Sequence, residues 1–134
     1  MILFSANASA ISDAEAKQLA VQAYKGDAAS LQTLQQDAMS GDAVSEDWYG
    51  SYFVAEKDYA QASQWYRKAA DQGDADAQTN LGFLYANGHG VAQDYAQALQ
   101  WYRKAADQGY ASAQYNLGVM YGVIVESGVW AVSA

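Results

Sequence analysis

The sequence predicts an all-α fold, a right-handed α/α superhelix of about seven antiparallel helices. The first observation behind this prediction is an internal repeat, because residues 58–82 and 94–118 align with a shift of 36 residues and differ at only four of 25 positions. A period between about 20 and 50 residues is typical of solenoids. The second observation is composition, because 51% of the residues are hydrophobic and none is proline. This composition favours helices over disorder.

The N-terminal helices are indicated by degraded copies of the pattern that is clearest further along the chain. Residues 41–43 match residues 73–75, and Tyr49-Gly50 matches Leu81-Gly82 with a shift of 32 residues. Three helices follow, near residues 12–25, 27–40 and 43–54. The residues predicted to face inward on the second of them are Leu31, Leu34 and Ala38.

The two helices of the next unit have clear start and stop signals. Asp58 can cap a helix near residues 58–72, and Gly73 can end it in a left-handed conformation. Asp74 can cap a helix near 75–87, which the segment Asn87-Gly88-His89-Gly90 ends. Apolar residues recur at spacings of three and four, as in an amphipathic helix. The predicted inward residues are Tyr59, Ala62, Tyr66, Ala69, Ala77, Leu81 and either Leu84 or Tyr85.

The repeat continues with helices near residues 94–108 and 111–122. The loop before them is predicted to return to the core through Val91, and Gly82 has no side chain, so that a neighbouring helix can approach it closely. Trp-Tyr pairs recur at identical repeat positions, which favours packing between helices over a ligand-binding role. These pairs are Trp65-Tyr66 and Trp101-Tyr102.

Charge and composition limit the classes of partner. Fifteen acidic and seven basic residues give a net charge of −8, which repels nucleic acid and anionic lipid. The absence of cysteine excludes disulfides and thiolate metal sites. No apolar run approaches the roughly 20 residues that a membrane span needs. We therefore expect no nucleic-acid partner and no membrane insertion.

The repeated residues resemble the Sel1-like repeat, a relative of the tetratricopeptide repeat. The matching residues are Ala77-Gln78, Asn80-Leu81-Gly82, Tyr85, Gly88, Gly90-Val91, Asp94-Tyr95, Ala98, Trp101-Tyr102 and Lys104-Ala105-Ala106. The resemblance implies a superhelical scaffold that binds proteins or peptides without catalysis. It covers residues 12–122, as a degenerate unit at 12–40, a short-looped unit at 43–73, a full unit at 75–110 and a half unit at 111–122.

Two other functions stay open at this point. A cysteine-rich branch of Sel1-like proteins binds penicillin-type compounds, so a penicillin-binding or weak β-lactam-hydrolysing protein is one alternative, although this chain has no cysteine. A non-functional fragment of a longer repeat array is the other.

The differences between the two best units predict a binding surface. Asp76/Ser112, Thr79/Tyr115 and Phe83/Val119 differ at spacings of three and four, which places them on one face of a helix. In the related tetratricopeptide superhelix this face lines a concave groove, and an acidic, aromatic groove favours a neutral or basic peptide. The residues predicted to line the groove are Val44, Asp47, Ser51, Asp76, Thr79, Asn80, Phe83, Ser112, Tyr115, Asn116 and Val119. An unconstrained surface would vary in the same way.

No catalytic, cofactor-binding or metal-binding residue is predicted. His89 is the only histidine, so it has no second histidine with which to share a metal, and we expect an exposed loop residue. No serine is followed three residues later by lysine, the pattern of penicillin-recognising enzymes. Helix caps and a solvated face explain the acidic residues more simply than a calcium site. These residues are Glu46, Asp47, Asp74, Asp76 and Asp107.

The two ends of the chain each allow two interpretations. Residues 1–11 contain a small-x-small sequence, Ala8-Ser9-Ala10, and fit either a truncated signal-peptide remnant or a disordered N-terminus. The first interpretation predicts a periplasmic or secreted protein and the second a cytoplasmic one. Residues 123–134 fit an irregular apolar cap or a truncated repeat, whose apolar edge would favour self-association.

Overall fold

The computed structural model describes residues 11–127, with side chains up to residue 122, and this part of the chain forms seven helices. They are α1 (Asp13–Tyr24), α2 (Ala28–Met39), α3 (Ala43–Ala55), α4 (Tyr59–Asp71), α5 (Ala75–Asn87), α6 (Tyr95–Ala106) and α7 (Ala111–Ser127). Each helix packs against the next in the chain, and α1 also packs against α3. The all-α prediction is therefore confirmed. None of the helices between residues 11 and 127 is long and apolar enough to cross a membrane.

Aspartate side chains cap four of the helices. Each accepts a hydrogen bond, 2.9–3.2 Å long, from the backbone N–H three residues further on. They are Asp42, Asp58, Asp74 and Asp94. Such a cap typically contributes about 1 kcal/mol. The caps predicted at Asp58 and Asp74 are confirmed.

The last helix is longer than the sequence predicts. The predicted half unit ends at residue 122, but α7 continues to Ser127. Residues 123–127 contain neither glycine nor proline, so no helix stop precedes Gly128. Residues 123–127 are thus helical and not part of an irregular cap. The remainder of that predicted cap, residues 128–134, and the predicted signal remnant at residues 1–10 lie outside the described residues.

Two glycines allow tyrosine rings to pack against the odd-numbered helices. A Cβ atom at Gly50 would lie 2.7 Å from the ring of Tyr66, and one at Gly82 would lie 2.8 Å from the ring of Tyr102. Both distances are shorter than any normal contact, so only glycine permits this approach. The predicted close approach at Gly82 is confirmed, and its partner is the ring of a residue one helix further along.

The loop after α5 is held against the start of α4. Gly90 has a φ of +73°, and a Cβ atom there would lie 2.3 Å from the backbone carbonyl of Tyr59. Glycine is therefore required both for its conformation and for its lack of a side chain. The next residue, Val91, packs against the central core cluster, as the sequence predicts.

A glutamine joins the two helices of a unit in the same way twice. The Gln72 side chain donates hydrogen bonds to the Gly41 carbonyl at 3.0 Å and to Glu46 Oε1 at 2.6 Å. Its counterpart 36 residues later, Gln108, donates to the Gly73 carbonyl and to the Gln78 side chain. These bonds link the end of the second helix of each pair to the start of the first, so they fix how the two helices of the pair are arranged.

The Trp-Tyr pairs pack between helices, as the sequence predicts. Tyr66, Trp101 and Tyr102 are buried. Trp65 is half-buried, and its ring lies 4.9 Å from that of Tyr49. The aromatic residues therefore bury much of the apolar surface that holds the helix pairs together.

Candidate functional site: the groove between the odd-numbered helices

Three cavities form a row between the odd-numbered helices. Their volumes are about 180, 310 and 280 Å³, between α1 and α3, between α3 and α5, and between α5 and α7. Phe83 lines both the second and the third cavity. Ser51 lines the first, and its hydroxyl lies 3.0 Å from that of Tyr66, which lines the second. The cavities thus adjoin one another, and we call this row the groove.

Nine of the eleven predicted groove residues keep some exposure. The largest apolar surfaces belong to Phe83, Tyr115 and Val119, whose side chains are 51%, 73% and 47% exposed. Ser112 is also exposed. The half-buried members are Val44, Ser51, Asp76, Asn80 and Asn116. Within this set, Ser51, Asn80, Phe83, Asn116 and Val119 line the three cavities.

The other two predicted groove residues, Asp47 and Thr79, require a correction because both are buried. They occupy corresponding positions on α3 and α5, where the surface is covered by neighbouring helices. The Thr79 hydroxyl donates to the Ala75 carbonyl within its own helix. Neither side chain can form part of an open groove floor. The helical face predicted to line the groove is therefore most exposed on α7, and it is covered at Asp47 on α3 and at Thr79 on α5.

Asp47 is the most unusual titratable group in this region. It is 4% exposed, and its Oδ1 accepts a 3.0 Å hydrogen bond from the Asn80 side chain. Its pKa is raised to about 8, chiefly because burial disfavours the charged carboxylate. The nearby carboxyl groups of Asp74, Asp76 and Asp13 add like-charge repulsion, which the hydrogen bond from Asn80 opposes.

Three carboxyl groups come together beside the N-terminus of α5. One oxygen from each of Asp47, Asp74 and Asp76 lies within 4.8 Å of the others, close enough for one cation to contact all three. The sequence interpretation of these residues as helix caps holds for Asp74. Asp47 and the adjacent Glu46 are buried instead of lying on a solvated face, because α4 and α5 cover this side of α3. Three carboxyl groups are thus gathered beside the groove, and Asp47 becomes negatively charged only as the pH approaches its raised pKa of about 8.

The cavity between α3 and α5 has predominantly aromatic walls, and we call it the aromatic pocket. Its lining residues are Val54, Tyr59, Tyr66, Asn80, Phe83, Leu84 and His89. The His89 ring stacks on Tyr59 at 4.7 Å between centroids and lies edge-on to Phe83 at 6.2 Å. His89 is half-buried in these contacts. The expectation of a plain exposed loop residue is therefore corrected, because the Gly90 contact holds the loop against α4.

A repeat-related cavity lies between α5 and α7, and we call it the neutral pocket. Tyr95, Tyr102 and Asn116 line it at positions 36 residues after Tyr59, Tyr66 and Asn80 of the aromatic pocket. Val119 and Met120 likewise replace Phe83 and Leu84. The position that corresponds to Asp47 is occupied by the uncharged Thr79. The two pockets thus share a framework, but only the aromatic pocket has an ionisable carboxyl behind its lining.

A hydroxyl pair in the groove does not provide a catalytic base. The Ser51 hydroxyl lies 3.0 Å from the Tyr66 hydroxyl. Burial raises the pKa of Tyr66 well above its ordinary value, and the neighbouring Asp47 carboxyl raises it further. The phenol therefore stays protonated near neutral pH, and it cannot take a proton from Ser51 as a general base must.

A further cavity of about 490 Å³ lies outside the groove, between α1 and α2. No aromatic ring lines it. Its carboxylate Glu15 is engaged in the capping box of α1, where it accepts a hydrogen bond from the backbone N–H of Ser12. Volume alone therefore does not make it the better candidate site.

The predicted groove set contains only Asn80 and Phe83 of the seven residues that line the aromatic pocket, and three of the five missing residues are the rings Tyr59, Tyr66 and His89. The two tyrosines were assigned to the core stripe of α4, and His89 was assigned to an exposed loop. The signal available in the sequence was that both tyrosines recur 36 residues later, as Tyr95 and Tyr102. In the structure each pair of tyrosines lines a cavity of the groove.

Comparisons with known proteins agree with this architecture. The family model described as Sel1 repeat matches residues 37–74, 75–110 and 111–126. Among solved structures, a Sel1 repeat protein from Oxalobacter formigenes is similar, with 30% identity, a TM-score of 0.69, and coverage of 81% of this chain and 46% of that one. A protective antigen of uropathogenic Escherichia coli with an SLR fold has 48% identity, a TM-score of 0.65, and coverage of 68% and 20%. No curated protein matches significantly. The chain thus spans less than half the length of either structural relative.

Proposed function

Since this chain belongs to the Sel1 repeat family, whose members generally act as protein-interaction scaffolds, we propose that it is a non-enzymatic module that holds a peptide segment of a partner protein in the groove. The observation that carries this proposal is the row of adjoining cavities between the odd-numbered helices. An extended peptide presents side chains at regular intervals, and a row of separate cavities suits that geometry.

The exposed apolar residues of the groove support the same proposal. Phe83 on α5, which lines two of the cavities, and Tyr115 on α7 are large and more than half exposed. Aromatic residues dominate the binding energy of most protein interfaces, because they bury a large area at a low cost in conformational entropy. We therefore assign the main anchoring contacts to these two side chains.

Replacement of both Phe83 and Tyr115 by alanine is expected to abolish peptide capture while the fold is retained. The measurement is selection from a random dodecapeptide library displayed on phage, followed by fluorescence anisotropy with the enriched peptides. Loss of two aromatic anchors is expected to weaken binding at least about 30-fold. Thermal unfolding followed by circular dichroism checks that the variant is folded.

Met39→Ala is the matched control, because Met39 is 69% exposed but lies at the end of α2, outside the groove. This variant should bind the enriched peptides as tightly as the unmodified chain. If the double variant at Phe83 and Tyr115 also binds them with unchanged affinity, the peptides do not occupy the groove and the proposed function is wrong.

A further inference from the structure

We propose that the aromatic pocket receives a lysine or arginine side chain of the bound peptide, whereas the neutral pocket receives an uncharged one. This inference rests on the peptide-binding function proposed above and deepens it by assigning the chemistry of one anchor residue. Three features of the aromatic pocket support the assignment, namely its walls, its charge and its difference from the neutral pocket.

The walls of the aromatic pocket suit a cation. The His89 ring stacks on that of Tyr59 and lies at 72° to that of Phe83, and all three rings line the cavity. The faces of tyrosine and phenylalanine rings attract ammonium and guanidinium groups through the ring quadrupole. A volume of about 310 Å³ lies at the lower end of the range for ligand pockets, and therefore suits a single side chain.

The charge behind the aromatic pocket also suits a cation. Asn80 lines the cavity and donates its hydrogen bond to Asp47, which places the Asp47 carboxyl directly behind the lining. Asp74 and Asp76 bring two further carboxyl oxygens within 4.8 Å of it. Aromatic rings alone would accept an aliphatic side chain equally well. What favours a positive charge is the buried Asp47 carboxyl once it is ionised, because its field is then little screened by water. Below its pKa of about 8, binding of the cation must also displace the Asp47 proton.

Comparison of the two pockets shows that this charge is specific to one of them. The neutral pocket repeats the two tyrosines and the asparagine, but Thr79 stands where the aromatic pocket has Asp47. The lining residue three positions after the asparagine also differs, being Phe83 in one repeat and Val119 in the other. A peptide that spans both pockets is therefore expected to bind best with a basic residue at one position and an apolar residue at the other.

The test uses the best peptide from the phage selection and versions in which each lysine or arginine is replaced by norleucine, a neutral residue of similar shape. Binding is measured at pH 8.5, above the raised pKa of Asp47, so that most molecules carry the ionised carboxylate. At one peptide position, replacing the basic residue by norleucine is expected to weaken binding to the unmodified chain about tenfold. The same replacement should weaken binding to the Asp47→Asn variant by no more than about twofold. Asp71→Asn is the control, because it removes the same charge at an exposed position twelve residues along α4 from Tyr59.

A second readout places the basic side chain in the aromatic pocket. His89 is the only histidine of the chain, so its ring protons give NMR signals without overlap from a second histidine. These signals should shift with the basic peptide and shift less with its norleucine version.

Two results separate this inference from the proposed function. If enriched peptides share no basic position, or if norleucine costs the same affinity with and without Asp47, the pocket assignment is wrong while peptide binding in the groove stands. If no enriched peptide depends on Phe83 and Tyr115, the groove function fails and this inference fails with it.

Discussion

Asp47→Asn is expected to stabilise the folded protein by at least about 2 kcal/mol at pH 8.5, but by no more than about 1 kcal/mol at pH 4.5. Asparagine has the same shape as aspartate, and its side-chain oxygen can still accept the hydrogen bond from Asn80. What the substitution removes is a carboxylate that is buried beside Asp74 and Asp76. The measurement is the free energy of unfolding by urea at the two pH values.

The direction of the pH dependence follows from where the proton is bound. The pKa of Asp47 is about 8 in the folded protein and close to the ordinary value of 3.8 when the chain unfolds. Between these values the folded state holds a proton that the unfolded state has lost, so stability falls as pH rises toward 8. Full ionisation of a group shifted this far costs up to about 6 kcal/mol. Asparagine avoids this cost, so its advantage increases with pH.

Asp71→Asn tests whether the effect depends on burial, because Asp71 is exposed at the end of α4. Its stability should differ from that of the unmodified chain by no more than about 0.5 kcal/mol at either pH. Equal stabilisation by Asp47→Asn at pH 4.5 and pH 8.5 would contradict the proposed origin of the effect, and so would destabilisation at pH 8.5.

An expected gain in stability on losing Asp47 connects this residue with binding. Groups that reduce the stability of a fold are often those on which binding or catalysis depends. Here the same carboxyl that destabilises the free protein accepts a hydrogen bond from Asn80, which lines a pocket with aromatic walls. A bound cation would offset the repulsion among the acidic side chains. Tighter peptide binding and lower stability are therefore expected to be two consequences of one buried charge.

The helices could be predicted from the sequence because their signals are local. Asp58 and Asp74 cap helices where the sequence places them, and Ala62, Ala69 and Leu81 are buried as their spacing predicts. Each of these features depends on neighbours within about four residues. Even the close approach at Gly82 could be anticipated, since a glycine repeated in a helix indicates a packing contact.

The candidate site was only partly predictable because it depends on contacts between units. Asp47 lies on the same helical face as exposed groove residues, and only the position of Asn80, 33 residues away, shows that it is covered. His89 is flanked by glycines that suggest a free loop. The loop is instead fixed by the contact between Gly90 and Tyr59, which no helical periodicity reveals.

Gly90→Ala is expected to destabilise the protein by about 2–4 kcal/mol and to remove the preference for a basic peptide residue. A φ of +73° costs alanine about 1 kcal/mol. The larger effect is steric, because the new Cβ atom would lie 2.3 Å from backbone atoms of Tyr59, and the loop must move away from α4. That movement separates His89 from Tyr59 and opens one wall of the aromatic pocket.

Gly73→Ala separates the two contributions. Gly73 has a φ of +96°, but no other atom lies within 4 Å of the position that its Cβ would occupy. The Gly73→Ala variant should therefore lose only the stability that the positive φ costs alanine, about 1 kcal/mol, and it should keep the preference for a basic peptide residue. Thermal unfolding gives the stabilities, and the lysine-to-norleucine comparison gives the preference.

If the two alanine variants are equally stable and equally selective, the loop is not held by the Gly90 contact. If Gly90→Ala is the less stable but keeps the preference for lysine, the loop does not form the wall that recognises the cation.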